Sequence, residues 1–270
     1  MRKVLFSMLL LIALTTTAFS QRAYDLESAR KLALSTNKLI ILDFWADWCG
    51  PCKTMDRELW NTPEFAELMD RFVFVRIDID ANRPLAMQYS IKAIPRVVII
   101  TPNDDRLFDR QGFSNASTYL NTFQSFPTDY GNMSQTLMRI IGADEPAPKD
   151  WFAAGSALQS VGSAMDDQPT KIKFLGVSNT YFKRAEKAAD TPAMEQKAEL
   201  AQLLNDAYLG KHKKVLKKIA KGDFSEEEEA LANLKHFVAA YCYQCQGQQQ
   251  KANDAKEKIT DEELLAKLEQ

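Results

Sequence analysis

The hydrophobic residues of this chain follow two different periods between residue 21 and about residue 128. Short continuous apolar runs are typical of buried strands, whereas apolar residues at intervals of three and four are typical of helices. The strand-like segments are LIILDFW, FVFVRIDI, RVVIITP and the shorter, edge-like RLFDRQGF, and the helix-like segments are DLESARKLALSTNK, KTMDRELW, PLAMQYSI and SNASTYLNTFQSF. Strands that alternate with helices predict an α/β fold with a mixed central sheet flanked by helices.

The pattern changes after Pro127, where the chain becomes rich in Ala, Leu, Lys, Glu and Gln at helical spacing. We expect several antiparallel helices between residues 129 and 270. Ala207-Tyr208 and Ala240-Tyr241 recur at an offset of 33 residues, which is close to the length of a tetratricopeptide repeat. Two matching residues do not establish a repeat, so the helical part is predicted to be all-α with a tetratricopeptide-like arrangement left open.

The composition is that of a globular protein. The 270 residues are 46% hydrophobic and 26% charged, with a formal net charge of −2, which suits one or two folded domains. A net charge this close to zero offers no electrostatic basis for binding nucleic acid.

The first twenty residues resemble a secretory signal peptide. Arg2 and Lys3 precede the apolar run VLFSMLLLIAL, and the small residues Ala18 and Ser20 are spaced as in a cleavage site. Cleavage before Gln21 would export the protein to an oxidising periplasmic or extracellular compartment, with no stable membrane insertion afterwards. A retained N-terminal anchor is the alternative. The predicted organisation is therefore a signal peptide at 1–20, an α/β domain at 21–128 and a helical domain at 129–270.

Cys49 and Cys52 stand where an apolar strand ends and a helix is expected to begin. Backbone N–H groups and the helix dipole at such a junction favour a thiolate, which is the attacking form of cysteine. Cys49 is therefore the candidate nucleophile, and Cys52 can resolve the mixed disulfide that Cys49 forms. Pro51 fits the first helical turn. A zinc half-site or an inert structural disulfide are the alternatives, and no metal site or cofactor is expected.

The segment FWADWCGPCK resembles the active site of the thioredoxin family, and the resemblance covers roughly residues 24 to 126. It implies a thioredoxin fold, with Asp43 as the buried carboxylate that accepts a proton near the resolving cysteine. Ile94-Pro95 matches the cis-proline loop that faces the cysteines, and Gly112 matches a glycine of the client groove. The positions that the resemblance assigns to client binding are Trp48, Gly50, Pro51, Ile94, Pro95, Arg96 and Gly112.

The sequence departs from the family pattern at two places. Arg96 follows the proline where threonine is usual, which would place a cation beside the site. The segment RELWNTPEFAELMDRF is longer than usual and is similar to exported thioredoxin-like domains, including the periplasmic C-terminal domain of DsbD-type electron transporters.

These residues predict an exported protein-disulfide oxidoreductase that reduces or isomerises disulfides in client proteins. A reductant in an oxidising compartment must be recharged, so a membrane electron transporter is implied as a second partner. The alternative is a partner-binding protein in which the helical domain binds the partner and the thioredoxin-like domain is a platform with an inert disulfide. The second pair, Cys242 and Cys245, is expected in a helix, where a structural role, an electron relay and metal binding all remain open.

Overall fold

The computed structural model describes residues 25–222 and 224–269, so the predicted signal peptide lies outside the described residues. A four-stranded sheet organises the first half of the described chain, in the order β2-β1-β3-β4. The strands are β1 Leu39–Trp45, β2 Phe72–Asp78, β3 Arg96–Ile100 and β4 Arg106–Gln111. β1 is parallel to β2 and antiparallel to β3, and β4 is antiparallel to β3 at the edge. The mixed sheet and the edge position of RLFDRQGF, both predicted from the sequence, are confirmed.

Five α-helices accompany the sheet within this part of the described chain. They are α1 Leu26–Thr36, α2 Gly50–Met55, α3 Pro63–Leu68, α4 Arg83–Gln88 and α5 Ala116–Ser125. A turn of π-helix, Asp56–Trp60, continues directly from α2. Side chains that accept N–H groups of the first turn fix where helices begin: Asp25 for α1, Thr62 for α3 and Asn115 for α5.

Eight further helices follow among the described residues. They are α6 Met133–Ile141, α7 Pro148–Ser163, α8 Gln168–Lys187, α9 Pro192–Tyr208, α10 His212–Lys221, α11 Glu229–Cys245, α12 Gln249–Lys256 and α13 Glu262–Lys267. The all-α character predicted for this region is confirmed. No helix in the described ranges is long and apolar enough to cross a membrane.

The helical region contains a geometric repeat, but its register differs from the offset of 33 seen in the sequence. α9 and α11 begin at residues 192 and 229, and α10 and α12 begin at residues 212 and 249, so both spacings are 37. Gly210 and Gly247 end the first helix of each pair with positive φ angles of 79° and 70°. Tyr208 and Tyr241 are four residues out of this register, which is about one helical turn. Each tyrosine therefore lies on the corresponding face of its own helix, and the two ring centroids are 5.1 Å apart.

The hydrophobic core on one face of the sheet continues into the helical region. Leu39, Ile41 and Phe74 belong to the same buried cluster as Leu158 of α7 and Phe174 of α8. The other face of the sheet has its own cluster, formed with α1 and α4, and α9 to α13 enclose a third. The predicted domain boundary at residue 128 stays a proposal, and one core spans it.

Candidate redox site

Cys49 and Cys52 are joined by a disulfide at the start of α2. Cys49 is the N-cap residue, and its Sγ accepts the backbone N–H of Cys52 at 3.1 Å. Pro51 lies in the first helical turn, as the sequence predicted. The same N–H group would stabilise a thiolate on Cys49 after reduction, because a donor to a charged sulfur favours the charged form. The local geometry therefore distinguishes Cys49 from Cys52.

The loop before β3 lies at the same end of the sheet as the disulfide. Phe44, near the end of β1, is in register with Arg96, so the preceding Pro95 lies at the end of β1 that leads to Cys49. The Ile94-Pro95 peptide bond is cis, which confirms the prediction. The N–H of Gly112 donates to the carbonyl of Pro95 at 2.7 Å.

Gly112 itself has a φ of +82°, a conformation that residues with a Cβ rarely adopt. The hydroxyl of Tyr119, on α5, donates to the carbonyl of Gly112. These contacts tie the glycine to both the proline loop and the helix behind it. The predicted client position at Gly112 therefore belongs to the loops at this end of the sheet.

The surface next to the disulfide is open. Trp48 is 67% exposed, and its indole N–H donates to Asp80 Oδ2 at 2.8 Å. Gly50 and Pro51 are exposed, and no atom lies within 4 Å of the position that a Cβ on Gly50 would take. By contrast, Cys49 and Cys52 are only 3% and 2% exposed. Trp48, Gly50 and Pro51 therefore form the exposed surface beside the sulfurs, and their role in client binding stays a prediction.

Asp43 is completely buried in β1, as predicted. Its Oδ2 accepts a hydrogen bond from Arg76 Nε at 3.0 Å, whereas its Oδ1 accepts no hydrogen bond of good geometry from the described residues. Burial raises the pKa of Asp43 from 3.8 to about 7, against the opposing effect of the Arg76 guanidinium. The Trp60 side chain is a further donor to this carboxyl group and lowers its pKa. A carboxyl group with a pKa of about 7 can exchange a proton near neutral pH.

Arg76 and Asp56 are site residues that the sequence analysis missed. Arg76 lies on β2 in register with Asp43, and its guanidinium stacks over the Trp45 ring at 4.4 Å. Its Nη2 is 2.9 Å from Asp56 Oδ1, an ion pair by distance without hydrogen-bond geometry. One guanidinium therefore stands between two carboxylates. The signal in the sequence was an arginine inside the apolar strand FVFVRIDI.

Arg96 has a different environment from the one expected. Its Nε and Nη2 donate to the two carboxylate oxygens of Asp109 at 2.6 and 2.8 Å. Asp109 also pairs with Arg106, so the Arg96 guanidinium is directed to a carboxylate that two arginines share. Arg96 remains a predicted client-binding position at the start of β3.

Cys242 and Cys245 lie in the last turns of α11 and are free thiols. Cys242 is buried, and burial raises the pKa of its thiol to about 12. Cys245 is exposed. This pair lacks the position at a helix start that activates Cys49. Among residues 25–222 and 224–269, no group of three or more His, Cys, Asp or Glu side chains is placed to bind a metal ion.

A disulfide at the start of a helix, a cis-proline loop and a buried carboxyl group define a thiol–disulfide exchange site on an α/β sheet. The family model described as Thioredoxin matches residues 23–124. The thioredoxin of Mycoplasmoides gallisepticum is 35% identical over 78 residues, which are 29% of this chain and 73% of that protein. The chain therefore belongs to the thioredoxin family, and its thioredoxin fold is confirmed. With its redox cysteine pair, the domain is a thiol–disulfide oxidoreductase.

Other relatives share a smaller part of their length with this chain. Thioredoxin-T of Drosophila melanogaster is 38% identical over 71 residues, which are 26% of this chain and 44% of that protein. Among solved structures, the oxidised C-terminal domain of DsbD from Neisseria meningitidis has 30% identity and a TM-score of 0.33, covering 37% of this chain and 95% of that domain. A thioredoxin from Thermus thermophilus has 22% identity and a TM-score of 0.36, covering 39% and 85%. The alignment with Thioredoxin-T spans less than half of that relative.

Proposed function

We propose that the whole protein is an exported oxidoreductase that reduces or isomerises disulfides of client proteins. The observation that carries the proposal is the Cys49–Cys52 disulfide at the start of α2, with the Cys52 N–H directed at the sulfur of Cys49. This arrangement makes Cys49 the sulfur whose thiolate the backbone stabilises. The open surface at Trp48, Gly50 and Pro51 gives a client access to it.

The reaction begins from the reduced dithiol. The Cys49 thiolate attacks one sulfur of the client disulfide, forms a mixed disulfide and releases the other client sulfur as a thiolate. Cys52 then loses its proton and attacks Cys49 Sγ. This step closes the Cys49–Cys52 disulfide and releases the second client thiolate. Two electrons pass from the dithiol to the client, and the released thiolates take up protons.

Asp43 is the residue to which we assign the proton of Cys52. Its pKa of about 7 leaves a fraction of the carboxyl groups ionised at neutral pH, and its Oδ1 accepts no hydrogen bond of good geometry from the described residues, although the Trp60 side chain also interacts with the carboxyl group. Arg76 holds the other oxygen. The carboxylate can therefore accept a proton and return it to solvent in the next cycle.

The direction of electron flow is part of the proposal. A Gly-Pro pair between the cysteines resembles that of thioredoxins, which are reductants with potentials near about −270 mV, compared with about −120 mV for the oxidant DsbA. The basic and apolar N-terminal segment supports export. A reductant in an oxidising compartment needs a supply of electrons, so we include a membrane electron transporter as the recharging partner.

Trapping of mixed disulfides tests the proposal. The Cys52→Ala variant should hold clients covalently on Cys49, because no second thiol remains to release them. After expression of the full chain with its N-terminal segment, exported proteins should appear as adducts that dissociate on reduction and are identified by mass spectrometry. The matched control is the Cys49→Ala/Cys52→Ala variant, which should give no adducts.

The burial of both sulfurs also fits the alternative of a binding platform with an inert disulfide. In that case Cys52→Ala would yield no more adducts than the control. The helical region would then retain its partners without covalent capture. If Cys52→Ala yields more adducts than the control, the alternative of a binding platform with an inert disulfide is contradicted.

A further inference from the structure

A groove of about 500 Å³ runs beside the edge strand β4. Its floor is Arg106 to Arg110 of β4, one wall is the flank of α5 at Thr122 and Ser125, and the other wall is the start of α8 at Thr170 and Lys173. We name it the edge groove. The family match ends at residue 124, so the α8 wall lies outside the segment shared with thioredoxins.

The edge groove is continuous with the redox site through β4. Arg110 is two residues before Gly112, which corresponds to about 7 Å along an extended strand. Gly112 is the residue whose N–H donates to Pro95 in the cis-proline loop. A polypeptide that crosses the site at Gly112 can therefore continue along β4 into the groove.

The charges of the edge groove favour an anionic occupant. Within the described chain, neither Arg110 nor Lys173 has a carboxylate within 4 Å. The Arg110 guanidinium lies over the rings of Phe108 and Tyr119, at 5.9 and 5.7 Å from their centroids. The lining has three basic side chains, Arg106, Arg110 and Lys173, and two acidic ones, Asp109 and Asp167, so its formal charge is +1. Asp109 pairs with Arg96 and Arg106, and Asp167 accepts the N–H of Thr170 at 2.9 Å.

We propose that the edge groove binds an extended, acidic segment of the client protein, next to the disulfide that reacts with Cys49. This inference rests on the proposed function and adds a determinant of client choice. The five groove residues of β4 span about 16 Å, so the groove accommodates about five extended residues. Carboxylates of that segment would pair with Arg110 and Lys173. The helical region contributes directly to selection, because α8 supplies Lys173.

Two reporter peptides test the groove. Both contain the same intramolecular disulfide and a flank of five residues, which are Asp and Glu in one peptide and Asn and Gln in the other. Each peptide is made in two versions, with the flank before or after the disulfide. The full chain should reduce the acidic peptide with a kcat/KM about fivefold higher at low salt, as expected for a few exposed ion pairs. Salt at about 0.5 M should remove the preference by screening.

The decisive variant is Arg110→Gln/Lys173→Gln, which should lose the preference while reducing the neutral peptide at the wild-type rate. The matched control is Lys213→Gln/Lys217→Gln on α10, which removes the same charge from exposed positions outside the groove and should keep the preference. Equal rates for the two peptides with the unmodified chain overturn the proposal. A preference that survives in the groove variant overturns it as well.

A binding measurement separates this inference from the proposed function. A fluorescent acidic peptide without cysteine should bind the oxidised protein in an anisotropy titration, with affinity lowered about fivefold or more in the groove variant. Such binding together with no reduction of either peptide would support the groove and contradict the proposed function. Reduction of both peptides without groove-dependent binding would support the proposed function and contradict the groove.

Discussion

Asp43 is a carboxyl group that the fold keeps in an apolar strand at a cost to stability. Its pKa rises from 3.8 to about 7 because burial disfavours the charged form. Between these two pH values the folded protein holds a proton that the unfolded chain has released. The free energy of unfolding therefore falls as the pH rises through this range, and the full cost is present above pH 7.

Replacing Asp43 with Asn should remove this pH dependence. At pH 8, Asp43→Asn should raise the free energy of unfolding of the oxidised protein by at most about 4 kcal/mol, since one pKa unit corresponds to about 1.4 kcal/mol. The gain should disappear near pH 4. Urea unfolding at several pH values measures it, with Asp47→Asn, an exposed carboxylate in the same segment, as the control.

The same Asp43→Asn protein should also reduce disulfides more slowly, by at least about tenfold, because the proton acceptor for Cys52 is lost. A variant that is neither stabilised at pH 8 nor slowed would contradict both the buried ionisation and the catalytic role of Asp43.

The burial of Asp43 could be predicted because the residue stands inside LIILDFW. The Arg76 contact could not be predicted in the same way. The pairing depends on the register of β1 against β2, which places these two residues side by side. A single strand pattern contains no information about its partner strand, and so the cation between Asp43 and Asp56 was missed.

At the scale of single elements, α11 shows why its cysteines differ from those of α2. Cys242 and Cys245 are inside the last turns of a 17-residue helix, where N–H groups are already bonded to carbonyls of the preceding turn. No backbone N–H group remains free to stabilise a thiolate there. Cys242 packs with Phe237 and Val238 in a buried cluster. The geometry supports a packing role for Cys242.

We therefore expect Cys242→Ser/Cys245→Ser to retain disulfide reductase activity within about threefold of the wild type, with a loss of stability of about 1–3 kcal/mol from the buried hydroxyl group. Reduction of the neutral reporter peptide and urea unfolding measure the two effects. Cys49→Ser provides the inactive reference. A double variant as inactive as Cys49→Ser would establish an electron relay through α11.

Helices were predicted throughout this region from their spacing, but the repeat register was not. The matching Ala-Tyr pairs indicated 33 residues, whereas the helix starts and the two glycines with positive φ give 37. Residues one turn apart lie on the same face of a helix, so an alignment of two helices by residue type can be displaced by one turn. Only the positions of the helix ends resolve this ambiguity.

At the scale of the whole molecule, the helical region is attached to the sheet by packing and by polar contacts. Phe174 contacts the rings of Phe126 and Tyr130 at 6.1 and 6.4 Å. The hydroxyl of Tyr181, on α8, accepts from Asn103 and donates to Asp105, both at 2.6 Å. Since these partners lie on both sides of residue 128, the sheet is expected to depend on the helices for its stability.

A fragment of residues 21–128 should consequently be less stable than residues 21–270. Loss of the Phe174 contacts exposes Phe126 and its neighbours, and each large apolar side chain that becomes exposed costs about 1.5–3 kcal/mol. Urea unfolding should give a decrease of at least about 3 kcal/mol. A fragment of residues 21–190, which keeps α6 to α8, should recover most of it. Equal stability of 21–128 and 21–270 would show that the two regions fold independently.

The composition change at Pro127 indicated an all-helical region, although the last strand, β4, already ends at Gln111. It could not indicate the shared core, because the apolar faces of α6, α7 and α8 have the same pattern whether they pack on each other or on a sheet. Phe174, which is completely buried against the thioredoxin-like part, looks in the sequence like any other residue of an amphipathic helix.

The position of α8 beside β4 has a consequence for how the molecules behave together at high concentration. An exposed sheet edge offers unpaired backbone groups to strands of other chains and is a common starting point for aggregation. In this protein a helix from the C-terminal region lies next to that edge, and charged residues occupy Arg106, Asp109 and Arg110 along it. We therefore expect α8 and these charges to disfavour pairing with apolar strands of other chains, while the edge groove stays open to a short acidic segment.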